Sequence, residues 1–322
     1  MLHIYSAGEK RITAADCSGD RLPPGAVWLD LVDPTKAEEA FAERVTGAAI
    51  PTRDEAVEIE PSSRQYRDGD AVTVIASIVA GLSDNAPQLT PVSFVLTPRH
   101  LVTVRYAEPK VFEVFGAHVE RSKEVCADAT MTLLHLLEAI VDRMADVLEH
   151  AGEEMDQVSR QTFRRGPRQQ QRMTNAALEV LLRRIGSVQD VVSKSRMSGV
   201  SVARLLSFLG TTLDPKGTKE QLDGLAKDVA ALTDHASYLG GNVTFLLDAA
   251  LGLINIEQNA IIKIFSVAAV IFMPPTLVAS IYGMNFKHMP ELDFTYGYPM
   301  ALGLMVCSAV LPYLFFKGRG WL

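Results

Sequence analysis

Two uncharged apolar runs close the sequence, Ile264 to Phe286 and Phe294 to Phe316. Each is long enough to cross a bilayer, because about 20 apolar residues at 1.5 Å rise span ~30 Å of hydrocarbon. Only a brief loop joins them, so they form a helical hairpin with Tyr282-Gly283-Met284-Asn285-Phe286 at its turn. A glycine and a carboxamide between two spans suggest a pore entrance. Everything upstream then feeds, supports or controls that hairpin.

Charge is dense through the first 260 residues of the 322 and nearly absent afterwards. The net charge of −7, from 31 basic and 38 acidic residues, argues against a nucleic-acid binder. It fits a cationic partner. Cys17, Cys126 and Cys307 are scattered and odd in number, so no disulfide framework is implied and a reducing compartment is expected. Met1-Leu2-His3-Ile4 shows no basic segment followed by a long apolar core, and no cleaved signal peptide is expected. Two spans put both termini on one side. Lys263, Lys317 and Arg319 mark that side, whereas the loop sets Lys287 against Glu291 and Asp293. Excess Lys and Arg places the terminal side in the cytoplasm of an inner (plasma) membrane protein. Trp321 and Tyr313 suit an interfacial anchor at the same face.

The pattern from Met1 to Tyr106 is mixed α and β. Ala26 to Val32 reads as a strand, and Thr35 as the N-cap of a helix through Glu38, Phe41 and Val45. Asp70 to Leu82 and Val92 to Leu96 alternate, and Ser93 to Tyr106, broken at Thr97-Pro98-Arg99-His100, reads as a hairpin. Strand signals stop after Pro109. Val125 to Phe163 has helical spacing, a second helix is expected from Gln169 to Leu209, and a third from Lys219 through Gln258 into the first span. Gly240-Gly241 is its weak point, at roughly 1 kcal/mol per glycine. The apolar period keeps its phase across the pair, so the helix is expected to continue. The resulting order is an α/β domain over 1–122, a long-helix stalk over 123–258 and a two-span hairpin over 259–322. The fold class is α+β. No nucleotide-binding glycine motif and no Cys/His cluster with zinc-ligand spacing is present in the sequence.

Along the first span, alternate steps of three and four from Asn259 give Ile262, Ser266, Ala269, Met273, Thr276 and Ser280. Small and hydroxylated residues favour helix–helix contact in lipid, and packing alone is the commoner explanation for such a stripe. Asn259 and Asn285 at its two ends tip the balance toward a water-lined path. Pro274-Pro275 is expected to kink the helix and free carbonyls. One hairpin cannot enclose a path, so a cyclic homo-oligomer is implied. Neither span holds a carboxylate. Mg²⁺ dehydrates reluctantly, and bare carboxylates would hold it too tightly to pass. Asn285 oxygens and carbonyls near Gly283 suit its hydration shell instead, with Glu291 and Asp293 concentrating cations at the mouth.

Tyr-Gly-Met-Asn at 282–285, Met-Pro-Glu-Leu at 289–292 and the basic tail after the second span resemble the CorA family of divalent-cation channels. Asn255-Ile256-Glu257-Gln258-Asn259 and Phe272-Met273-Pro274 extend the match. The resemblance implies a homopentamer with a funnel-shaped cytosolic portion, the first span lining the pore and no cofactor. Mg²⁺ is then substrate and regulatory ligand, with Co²⁺ and Ni²⁺ as further cargo. Carried over by position, Gly283, Met284 and Asn285 form the selectivity ring, flanked by Tyr282 and Phe286. Asn259, Ile262, Ser266, Ala269, Met273 and Thr276 line the path, and Phe265 joins the gate. Cytosolic Mg²⁺ bound between subunits is expected to close the channel, through Asp228 on the long helix and Asp84 on the first domain. Asp223 and Asp70 are alternatives, since no motif fixes either.

Glu138, Asp142, Asp146, Glu149, Glu153 and Asp156 share one helical face. We favour a solvated face balanced by Arg143, Arg172, Arg183 and Arg184, because surface ion pairs are common and weak. The rival reading is a divalent-cation sensing surface. For the whole chain, the rivals to a Mg²⁺ channel are a zinc-transporting relative of the same architecture and a membrane-anchored coiled-coil scaffold. An enzyme is the least supported, as no nucleophile–base pair or cofactor motif can be placed.

Overall fold

The computed structural model covers the chain and describes all residues except 8, 14–21, 59, 61–63, 83–85, 123, 164–174, 215, 286–288, 290–294 and 321–322. Seven strands are assigned among them: β1 (Leu2–Ser6), β2 (Ile12–Thr13), β3 (Ala26–Val32), β4 (Gln65–Asp68), β5 (Ala71–Ala80), β6 (Gln88–Leu96) and β7 (Leu101–Arg105). The helices are α1 (Lys36–Thr46), α2 (Arg53–Val57), α3 (Lys110–Val119), α4 (Ala129–Phe163), α5 (Asn175–Thr212), α6 (Lys219–Tyr282) and α7 (Gly297–Gly318). The chain divides into two compact units. One comprises Met1–Arg165 and Val180–Leu247, the other Gly166–Glu179 and Asp248–Leu322.

The sheet has the order β2-β1-β3-β7-β6-β5-β4. β3 and β7 are paired in parallel, and every other described neighbour is antiparallel. The expected strand over Ala26–Val32 and the hairpin around Thr97-His100 are both present. The Thr97 hydroxyl accepts from the His100 N–H, which closes the turn. Thr35 caps α1, as expected, and Glu38 adds the reciprocal bond of a capping box. β1, β2 and β4, together with α2 and α3, are additions that the sequence pattern did not announce.

Register explains the two faces of the sheet. Leu2 lies opposite Leu31, Leu29 opposite Val102, and Val102 opposite Val95. These residues point to one side and form a core with Ala42 of α1, packed by Phe41 and Val45. Each such side chain contributes roughly 1.5–3 kcal/mol on full burial. The opposite face carries Trp28, which stacks on Tyr5 at 4.3 Å and meets the Phe115 edge at 5.4 Å. α3 lies close over that face because residue 116 is glycine. A Cβ there would sit 2.7 Å from the Tyr5 hydroxyl.

A buried ion pair is built into this second face. Asp30 of β3 is opposite Thr103 of β7, and Val32 is opposite Arg105. Arg105 Nη2 donates to Asp30 Oδ2 at 2.9 Å, with side-chain exposures of 9% and 1%. Thr103 Oγ1 donates to Asp30 Oδ1 at 2.7 Å, and Trp28 Nε1 donates to Thr103 Oγ1 at 2.9 Å. The Arg105 guanidinium also covers the Phe112 ring at 4.9 Å. The carboxylate is thus satisfied on both oxygens, which offsets the large cost of removing two charges from water.

Helices dominate the remainder of the first unit. α4 begins where the Asp128 carboxylate accepts from the Met131 N–H, and it buries Leu133, Leu134, Leu136, Leu137 and Ile140. Arg184 of α5 bridges to Glu154 and Gln157 of α4 at 2.8 and 3.1 Å. Phe163 of α4 stacks on Phe245 of α6 at 5.9 Å. α6 is 64 residues of unbroken helix, a contour of about 95 Å at 1.5 Å per residue. It passes through Gly240-Gly241 without interruption, as the constant apolar phase predicted. The Gly240 position faces Val192 of α5, where a Cβ would make ordinary contact at 3.9 Å.

Removing Asp30 strands the Arg105 charge. Asp30→Ala is expected to destabilise the first unit by about 3–5 kcal/mol, whereas Thr103→Val costs about 1 kcal/mol. Thermal unfolding of the solubilised protein, followed by fluorescence, measures both. Equal small losses would show that the pair adds no net stability.

Candidate functional site

Backbone polar groups in hydrocarbon must be satisfied within the segment, so an apolar run of this length folds as helix. The C-terminal part of α6 and the whole of α7 are the two described helices long and apolar enough to cross a membrane. Among their described residues from 264 to 282 and 297 to 318, only Val267, Gly297 and Ala301 are buried. A single chain therefore leaves both spans almost bare.

The stripe lies on this bare surface. Asn259, Ile262, Phe265, Ser266, Ala269, Met273, Thr276 and Ser280 are all exposed in the single chain. Ile262, Phe265 and Met273 reach 61%, 71% and 68% exposure. Large apolar side chains this exposed require a cover, which lipid or other copies supply. Pro274 and Pro275 sit inside α6, and the helix continues through them. Their missing N–H groups leave the Val270 and Ile271 carbonyls without an i+4 donor. The Thr276 hydroxyl donates to the adjacent Phe272 carbonyl at 2.7 Å.

The glycine and carboxamide follow directly at the end of α6. Gly283 N donates to the Ala279 carbonyl at 2.9 Å, which continues the helical ladder by one residue. Met284 N then donates to Ile281 O at 3.3 Å, an i→i−3 bond that tightens the final turn. A Cβ on Gly283 would lie 3.0 Å from the Ala279 carbonyl oxygen. Glycine thus permits this close approach of backbone to backbone. Met284 and Asn285 are exposed beyond it, and Tyr282 is half-buried. Phe286, Glu291 and Asp293 lie outside the described residues. At the far end of α7, the Lys317 ammonium stands 6.0 Å from the Tyr313 ring, and the Arg319 guanidinium lies 5.4 Å from the Phe315 ring. Such contacts suit aromatic and basic side chains at a membrane interface.

The acidic positions are more dispersed. Asp228 and Asp223 on α6 are exposed, as is Asp70 at the β4–β5 turn, and Asp84 lies outside the described residues. Glu138, Asp142, Asp146, Glu149, Glu153 and Asp156 are all exposed on α4. Arg143 approaches Asp146 at 3.6 Å, and the His150 ring lies 3.8 Å from Glu153. Among the described residues no three His, Cys, Asp or Glu side chains converge on a metal position.

Residues 24–318 match the family described as CorA-like Mg2+ transporter protein. The chain belongs to the CorA family. It is 35% identical over 323 aligned residues to the magnesium transport protein CorA of Pasteurella multocida, with 100% of each chain covered. Against the magnesium transport protein CorA of Escherichia coli it is 33% identical, again with 100% of each covered. The structure of the CorA magnesium transporter from Methanocaldococcus jannaschii superposes with a TM-score of 0.73 at 19% identity, covering 100% of this chain and 99% of that one. The CorA fold accordingly accounts for the sheet unit, the long helix and the two C-terminal candidate spans together. It does so from both directions, by sequence and by shape.

Proposed function

We propose that this CorA-family chain is a channel that carries hydrated Mg²⁺ into the cytoplasm, with Co²⁺ and Ni²⁺ as further candidate cargo. The observation that carries the reading is the bare stripe of α6 ending in Gly283-Met284-Asn285, in a chain that matches the CorA family over 24–318. The related proteins of Pasteurella multocida and Escherichia coli, named for magnesium transport, support the choice of ion.

A ring of copies, five by resemblance, turns the exposed stripe inward and buries it. Asn285 oxygens and the backbone beside Gly283 accept hydrogen bonds from the waters around the ion. The ion is thereby held without losing its shell, which Mg²⁺ releases reluctantly. Glu291 and Asp293 raise the cation concentration at the mouth. Asn259, Ser266, Ala269 and Thr276 offer small or polar wall, and Ile262, Phe265 and Met273 narrow the path. Hydrophobic constrictions of that kind close by expelling water. At 100 mV, two charges gain roughly 4–5 kcal/mol on entering, so the membrane potential suffices as driving force. Cytosolic Mg²⁺ binding between subunits, at Asp228 and Asp84, closes the channel by bringing neighbouring acids together.

Mg²⁺ uptake into liposomes holding the purified protein, under an inside-negative potential, tests the reading. Asn285→Ala is expected to abolish voltage-driven uptake. Equal uptake by the variant would leave the hairpin as an anchor, and uptake of Zn²⁺ in place of Mg²⁺ would identify a zinc transporter. Met273→Ala is expected to raise the leak seen with Mg²⁺ inside, and an unchanged leak removes Met273 from the gate. Asp228→Asn is expected to raise, several-fold, the internal Mg²⁺ needed to stop uptake. An unaltered dose dependence would move the regulatory site elsewhere.

A further inference from the structure

In a chain of net charge −7, three arginines converge on one cavity. Arg64 stands immediately before β4, and Arg196 and Arg204 lie two turns apart on α5. All three line a cavity of about 280 Å³ between the sheet and α5, and no carboxylate is among its described lining residues. Ile75 of β5 and Met197 of α5 form an apolar part of the wall.

The cavity exists because β4 is short. β4 pairs with β5 only from Ala71 to Val74, so among the described residues the edge of β5 beyond it carries no strand on that side. Ser77 N–H points to this open edge and donates to Ser201 Oγ of α5 at 2.9 Å. Arg64 Nη2 donates to the Ser77 hydroxyl at 3.0 Å. Its Nε, by contrast, is enclosed and has no hydrogen-bond partner. An orphaned guanidinium N–H is costly, because a buried donor loses its water without compensation. Among the described residues Arg204 forms no ion pair. Burial, and then the neighbouring Arg204 charge, hold the Arg64 pKa below its ordinary value. Arg196 and Arg204 are exposed to water at the mouth of the cavity, whereas an anion seated there would also reach the enclosed Arg64 Nε and form charge-assisted hydrogen bonds.

We propose that this cavity binds a phosphoryl-type oxyanion, held by Arg64, Arg196 and Arg204. Guanidinium forks match the paired oxygens of such a group, and the Ser77 and Ser201 hydroxyls complete its rim. The apolar wall at Ile75 and Met197 gives room for a small organic body, so a phosphate monoester fits as well as inorganic phosphate. Arg196 also donates from Nε to Ser237 Oγ of α6 at 2.9 Å. The bound anion therefore touches the sheet, α5 and, through Arg196, the long helix.

Calorimetric titration of the full-length oligomer in detergent tests the site, with inorganic phosphate in one arm and AMP in another. Saturable binding is expected, weakened about tenfold or more in Arg64→Gln and in Arg204→Gln. Arg204→Gln breaks no hydrogen bond among the described residues, so its fold is preserved while the charge is lost. Tighter binding of AMP assigns the apolar wall to the organic body, and equal binding assigns the site to the free ion. No saturable binding in either arm overturns the proposal, as it would if carboxylates of a neighbouring copy fill the cavity. Binding that both variants leave intact also overturns it, since the anion then sits elsewhere.

Discussion

The structure depends on one constraint: an apolar segment placed in lipid must satisfy its own backbone hydrogen bonds. α6 keeps to it from Tyr282 back, except at the Val270 and Ile271 carbonyls that Pro274 and Pro275 leave without an i+4 donor, and the same helix extends into charged sequence as far as Lys219. A single helix therefore runs from charged sequence into a candidate membrane span. The Gly283 position closes the helix where the carboxamide of Asn285 begins, so the end of the ladder and the candidate ion-binding loop coincide.

The exposed spans and the buried sheet obey opposite solvents. In the sheet unit, the apolar faces of β1, β3, β6 and β7 are covered within one chain, and even the Asp30–Arg105 pair is enclosed with its hydrogen bonds complete. Along the candidate spans, Phe265, Phe272 and Met273 stand open. The sheet unit can complete its core alone, and the hairpin needs lipid or further copies. Lipid or further copies must therefore cover the part of the chain that carries the candidate pore.

The arginine-lined cavity is a second consequence of local geometry. A two-turn spacing on α5 and one arginine ahead of a short strand meet only because β4 stops early. Its charge runs against the net charge of the protein, and its donors are left partly unfilled. The candidate pore has the reverse character, with neutral oxygens and no carboxylate within the spans.

Much was legible in the sequence where the signal is local. The two candidate spans follow from run length, the α1 cap from Thr35 at the end of the β3 run, and the continuity of α6 from a constant apolar phase across Gly240-Gly241. Tertiary structure decided what depends on distant partners. The five residues of β1 are too few to announce a strand, and they gain their place from pairing with β3 some 25 residues later. Nothing in Asp30 or Arg105 alone reveals that parallel pairing of β3 with β7 will bury them as an ion pair. Local periodicity fixes which face of an element is apolar, but register and contact between remote elements arise only when the whole core closes.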